Sequence, residues 1–294
     1  MHILALIVVF VFQLYGPPTT IANLKNPGIN ESSGLAASRS NPGIYWTHND
    51  SGDEPFVYAF DATGESRGVF RVTGAQARDW EDMAVGPGPG RGQSYLYLGD
   101  IGDNDKVRSE IVVYRVPEPK LTATDKDSSR RYPRATTASD AIRLRYPDGK
   151  FDAETLLVHP ATGNLYIVTK VMLKNATVYE APAPLTPGKV ITMKRIGDIK
   201  VPSLMGGVLT GGSISPDGRR VALCDYLQGY EVVLPAAVRD FNEIWKQNVT
   251  PFKLGQREQG ESITYRADGK ALLATSEGKH PPLIQVELRL ARSQ

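Results

Sequence analysis

Cysteine is almost missing from this sequence: Cys224 is the only one among 294 residues. A single thiol can form neither an intramolecular disulfide nor a cysteine-based zinc site, so stability must come from a packed core. Histidine is scarce too, with four residues and no cluster of them. Neither sign of charge is in excess. Lys and Arg number 34 against 32 for Asp and Glu, which argues against attachment to nucleic acid through phosphate contacts. Long apolar runs are missing after residue 15. Ile3 to Tyr15 is apolar except for Gln13, too short to span a bilayer but suited to the core of a signal peptide. Small residues at Thr20 and Ala22 predict a cut after Ala22, giving a signal peptide over 1–22 and one mature domain over 23–294. No membrane span is expected after cleavage. Sequons at Asn30, Asn49, Asn175 and Asn248 fit a secreted glycoprotein, with Asn175 and Asn248 expected in the better exposed loops.

What is present is a repeat. Apolar residues make up 41% of the chain, and its 28 glycines and 21 prolines fall singly, as turns between many short strands would require. One unit reads as a short apolar strand, a Gly/Pro/Asp turn, a second apolar strand and a polar end. It occurs at Ser33-Gly-Leu-Ala-Ala, Glu81-Asp-Met-Ala-Val, Glu154-Thr-Leu-Leu-Val, Gly212-Ser-Ile-Ser and Glu261-Ser-Ile-Thr-Tyr. Further strands follow each hairpin, such as Phe56–Phe60 and Gly68–Val72, or Ile111–Val116 and Ile142–Tyr146. Four antiparallel strands per unit make a propeller blade. The predicted fold is therefore an all-β, five-bladed β-propeller, and six blades would need four strands within the polar segment Lys120–Ser139. The last unit supplies only three strands, and Thr20–Leu24 is expected to complete it. One helix is predicted at Pro235–Gln247, with Val238, Phe241, Ile244 and Trp245 on one face.

In such a fold the starts of the first strands and the ends of the second strands share one face. That arrangement predicts a channel ring of Ser33, Glu81, Glu154, Gly212 or Ser213, and Glu261. Around it would stand His48-Asn-Asp50, Asp100, Asp103, Asn104, Thr169-Lys170, Asp225 and Ser276-Glu277. Three equivalent glutamates repel one another. At about 5 Å and an effective dielectric of about 20, each pair costs roughly 3 kcal/mol. Their pKa values rise, a cation lies between them, or backbone amides of neighbouring blades satisfy them. Oxygen ligands without Cys or a His cluster favour a hard ion such as calcium. His48 beside Asp50 reads either as a general base or as a turn histidine bonded to backbone. Asp100, Asp103 and Asn104 read either as a cation wrap or as turn caps. The cluster Arg130, Arg131 and Arg134 reads as a solvated loop, and Trp80 as blade packing.

The motifs Ser33–Leu35, His48–Gly52, Asp79–Asp82 and Gly99–Asn104 resemble those of a family of secreted, mostly uncharacterised β-propeller proteins. The ring also resembles that of calcium-activated nucleotidases (apyrases), five-bladed propellers with a central calcium held by Ser or Glu from each blade. That resemblance implies calcium as cofactor and Ser33, Glu81, Glu154, Ser213 and Glu261 as its ligands. Two functions follow as expectations. One is a metal-assisted hydrolase of a phosphorylated or lactone-like small molecule, with His48, Asp50 and Asp100 as catalytic candidates. The other is a monomeric, non-catalytic extracellular protein that binds a small polar molecule or matrix component. In either case Asp79, Asp103, Asn104, Lys170, Asp225 and Glu277 would contact the ligand.

Overall fold

The computed structural model describes residues 15–289; most of the segment 1–22, expected to be a signal peptide, lies outside the described residues. Five antiparallel sheets follow one another around a central axis, as the repeat predicts. Their innermost strands are Ser32–Ala37, Trp80–Pro87, Ala153–Val158, Gly211–Ile214 and Gly260–Tyr265. Each pairs outward with two further strands of its own blade, and the fourth strands are Ser66–Arg71, Asp140–Arg145, Lys194–Ile199, Val249–Lys253 and, for blade 5, Thr19–Asn23. Blade 1 gains a short edge strand, Arg134–Ala135, and blade 2 gains Val190–Thr192, both parallel to their neighbours. The segment 120–139 thus holds one turn of 3-10 helix, Asp125–Asp127, and that edge strand, with no sixth blade. The predicted helix shrinks to six residues of 3-10 helix, Phe241–Lys246, started by the Asp240 side chain on the Asn242 amide. The expected apolar face packs inward: Ile244 and Trp245 are buried and Val238 and Phe241 partly buried among residues of blades 3 and 4.

Where the five inner strands meet, polar side chains join the blades. Ser33 Oγ donates to the Glu81 carbonyl at 2.5 Å, and Thr210 Oγ1 to the Gly260 carbonyl at 2.9 Å. A chain of hydroxyls, Thr47–Ser32–Thr275–Ser262, links blade 1 to blade 5. The fully buried Asp82 carboxylate accepts from Met83 N at 2.8 Å, Leu156 N at 2.9 Å and Gly212 N at 3.3 Å, so it spans blades 2, 3 and 4. The packing there leaves no room for larger residues. A Cβ on Gly211 would lie 2.3 Å from the Glu261 carbonyl oxygen. Asp82→Ala is expected to leave three buried amides without acceptors. At about 1–3 kcal/mol for each unsatisfied group, denaturant melts of that variant should show the chain close to or past its unfolding threshold.

The ring closes through the N-terminal strand, as predicted, but closure reaches further upstream. Thr19–Asn23 pairs with Pro282–Gln285. Tyr15 is buried, stacks on Phe252 at 4.5 Å between ring centroids, and donates to Glu231 at 2.6 Å. Tyr265 donates to the other oxygen of the same carboxylate at 2.6 Å. A cut after Ala22 would therefore remove most of the closing strand together with this anchor. A chain beginning at Asn23 should melt below one beginning at Tyr15. Tyr15→Ala alone should cost about 3–5 kcal/mol in denaturant melts, the usual loss for a buried aromatic residue.

Candidate functional site

The inner strands do more than line the channel. In four blades the strand pairing slips by one residue, and the extra residue is Ser33, Glu81, Glu154 or Glu261. A bulge of this kind re-aims the side chain it carries. It turns the three glutamates toward the mouth, where they are 4–6% exposed. In blade 4 the first strand, Gly211–Ile214, shows no slip, and Thr210 just before it donates its amide to the carbonyl of Cys224, the partner of Gly211. The place of blade 4 in the ring can be counted from the turn that ends each first strand, where Ser38, His159, Ser215 and Arg266 donate their amides to Ile44, Asn164, Arg220 and Ala271. Five residues upstream lie Ser33, Glu154, Thr210 and Glu261. Thr210 is therefore the blade 4 member. Ser213 stands three residues lower, 3.4 Å from Thr264 Oγ1 and far from the glutamates' level. The shift arises because Gly-Gly-Ser-Ile carries no acidic residue to mark the register.

Asp50 joins the cluster from the end of the second strand of blade 1. One oxygen each from Asp50, Asp79 and Glu81 lie within 4.8 Å of one another, and so do one each from Asp50, Glu261 and Glu277. Oxygens on opposite sides of a calcium ion bound at 2.3–2.6 Å are about 5 Å apart, so either trio could share one ion through Asp50. Glu261 Oε2 is buried without a hydrogen-bond partner, although Gln259 holds Oε1 at 2.8 Å. Above Glu81 and Asp79 passes Gly102, where a Cβ would lie against both carboxylates. Glu154 stands apart from both trios because its carboxylate is taken by the Lys170 ammonium, which also donates to Tyr226 OH at 2.8 Å. The symmetric ring implied by the nucleotidase resemblance is thus broken. Ser33 and Thr210 latch blades together, Glu154 is neutralised by a lysine, and Asp50 takes the central place.

Burial is the main cause of the raised pKa values here, and neighbouring carboxylates add to it. Asp79 is pushed up to about 6 and Glu81 well above its ordinary range. Glu154 rises to about 7 despite the opposing pull of Lys170, and Glu261 to about 9 despite Gln259. Lys170 is the only ammonium paired in the mouth among the described residues.

Other predicted residues have structural roles. His48 is fully buried, packs edge-on against Trp80 at 5.5 Å, and keeps Nδ1 on the Asn49 carbonyl at 2.8 Å. Its ring lies against Gly34 at the boundary of blades 1 and 2, whereas Asp50 lies past the end of the strand, and burial lowers the His48 pKa. Trp80 is blade packing, as read. Asp100 is locked at 2.8 Å to Arg108, with both side chains nearly inaccessible. Asp103 caps its own loop at Val107 N and Arg108 N, and Asn104 is exposed beside it. Asp225 caps the following turn and accepts from Tyr230 OH at 2.5 Å. His48, Asp50 and Asp100 do not form a constellation. Asn49 is also buried, with its amide nitrogen donating to Gly28 O and Asp53, whereas Asn175 and Asn248 are exposed. Of the cluster Arg130, Arg131 and Arg134, the first bonds Asp53 and the last Asp125.

Sequence reasoning missed Asp152, whose carboxylate accepts from Asp103 N at 2.9 Å beside the cluster. Asp82 was legible as a motif residue but not as the inter-blade acceptor. No protein-family model matches the chain, and no curated protein matches it either. The resemblances rest on the motifs themselves.

The carboxylate pKa values give a pH dependence with a definite sign. A folded-state pKa above the unfolded one means that the native state holds more protons, so stability falls as pH rises between the two values. In chelator, the melting temperature is expected to fall between about pH 4, the ordinary carboxylate range, and pH 9. Glu81→Gln should flatten that fall, as pH-dependent calorimetry would show.

Proposed function

We propose that the protein is an extracellular calcium-binding propeller that uses the ion at its mouth to hold a small ligand with anionic or polyol oxygens. The observation that carries this reading is the Asp50 carboxylate, common to two three-carboxylate sets, one of which contains the buried, unpartnered Glu261 Oε2. Carboxylates within such distances cannot all ionise at neutral pH without a counter-charge, and the nearby cations are already matched, Lys170 to Glu154 and Arg108 to Asp100. The donor set is all oxygen and irregular, which suits calcium better than the strict octahedron of magnesium. A bound calcium with open coordination positions would present a positive centre at the bottom of the mouth, where a phosphate, carboxylate or vicinal diol could complete its shell. The apolar-stacked His48 and the ion-paired Asp100 leave the binding reading ahead of the hydrolase. The motif resemblance and the N-terminal apolar run support an extracellular setting.

The test is thermal. Free calcium at about 100 times its dissociation constant should add roughly 2.7 kcal/mol of stability, a rise of a few degrees for a domain of this size. The rise should be larger at pH 8 than at pH 5, where protons already occupy the carboxylates. Asp50→Asn, which removes the carboxylate common to both sets, should abolish it. Equal melting temperatures for wild type in calcium and in chelator would sink the cation site.

A further inference from the structure

The mouth face also carries protruding apolar side chains. Leu204 is 99% exposed, and Met172, Leu173 and Leu227 are 71–76% exposed. They come from loops that meet. Met172 and Leu173 end a ribbon that pairs Val171–Met172 with Gly206–Gly207, and Leu173 N donates to Met205 O at 2.8 Å, next to Leu204. Leu227 shares a groove with Leu204. Lys170 and Tyr226, in contact with each other, immediately precede the ribbon and Leu227, so these tips stand beside the acidic mouth. Scattered exposed leucines need no explanation, but several on converging loops of one face do. Leu173 sharpens the point. Its φ of 59° is a left-handed conformation ordinarily left to Gly or Asn, and there it holds a leucine out into water.

The charges around these tips indicate the partner. Lys174 follows Leu173, Lys106 precedes the exposed Val107 on the adjoining blade 2 loop, and Lys150 Nζ donates to the Val107 carbonyl at 2.8 Å. The lysines in ion pairs among the described residues are Lys25, Lys170 and Lys246, so these three exposed ammoniums have no carboxylate partner there. Separate apolar tips flanked by unpaired lysines suit a fluid, anionic interface better than a protein partner, which buries its anchors in packed pockets.

We infer that the mouth face is a peripheral docking surface for a bilayer containing anionic phospholipid. Met172, Leu173, Leu204 and Leu227 enter the boundary between head groups and acyl chains, and Lys106, Lys150 and Lys174 meet phosphates. The bare carboxylates of the mouth would repel such a surface, so docking requires the mouth cation. That requirement rests on the function proposed above.

Co-sedimentation of the full chain tests this, using vesicles of phosphatidylcholine alone or with phosphatidylserine, in calcium and in chelator. Binding is expected for phosphatidylserine vesicles in calcium. Leu173→Asn/Leu204→Ser should weaken it at least about tenfold, as two leucines leaving an apolar phase imply, while the melting temperature and its calcium shift stay at wild-type values. That variant leaves residues 1–14 unchanged, so lipid binding by the N-terminal apolar run would not respond to it. Undiminished binding by the variant overturns the inference. A calcium-shifted melt without vesicle binding overturns docking and leaves the cation site standing. Vesicle binding in chelator that the variant abolishes, with no calcium shift, supports docking and overturns the cation. Loss of a calcium-dependent dimer in the same variant, with no vesicle binding, reassigns the face to self-association.

Discussion

Five sheets can close around one axis only if their first strands approach until backbone faces backbone. Most of what is distinctive here follows from that crowding. Near the axis there is space for glycine at 34, 211 and 212 and for short hydroxyl side chains, but not for a conventional apolar core. The buried amides and carbonyls then need partners from across blade boundaries, because an unpaired backbone group in such a place costs as much as a lost hydrogen bond. Ser33, Thr210 and Asp82 supply them. Larger acidic residues at the same level cannot fit inward, and the bulges carry them up to the mouth. The charge cluster is thus a geometric product of closure and not a separate addition to the fold.

The propeller was legible because each blade is nearly autonomous. Its strands, turns and alternation lie close together in sequence, and five copies reinforce one another. The closing strand was legible by subtraction, since the last unit is one strand short. The helix was not, because an amphipathic period says which face is buried but not whether six residues form α or 3-10 turns. At the site, the sequence located the mouth and four of its acids, namely Asp79, Glu81, Glu261 and Glu277, together with Asp50. It failed where a side chain's role depends on a partner distant in the chain. Glu154 looks equivalent to its repeat mates until Lys170 reaches it from the next strand, and Asp100 looks free until Arg108 folds back onto it. His48 is only two residues from Asp50 in sequence, yet the strand ends at Asn49, and the His48 ring is buried against Trp80 of blade 2 while Asp50 reaches the mouth.

Lys170 is the instructive contrast. It shows one way to quiet a buried carboxylate, with an ammonium on a flexible stem and a tyrosine hydroxyl at its end. Had fold stability been the only demand, the same device could have served Glu81 and Glu261, or neutral side chains could have replaced them, because removing a buried charge often costs nothing. Instead Asp50 is brought in from the second strand, adding a further negative group where repulsion is already greatest. Without a counter-charge these groups hold their protons, as their raised pKa values show, and the cation proposed above would take the place of those protons.

Charge links the mouth to the apolar loops beside it. An acidic depression with lysines and leucines on the blade 2 to blade 4 side of its rim has opposite electrostatic preferences at its centre and at that rim. Without a cation the centre repels any anionic surface or ligand that the rim attracts, and the effective range of this repulsion is the Debye length, about 8 Å at physiological ionic strength. A divalent ion at Asp50 would cancel most of the negative charge of the three carboxylates around it, and rim and centre would then no longer oppose each other. A single binding event at the axis would therefore set the affinity of the whole face, with no movement of the blades. In a fold whose inner strands are too tightly packed to shift, a change of charge is the switch that costs the structure least.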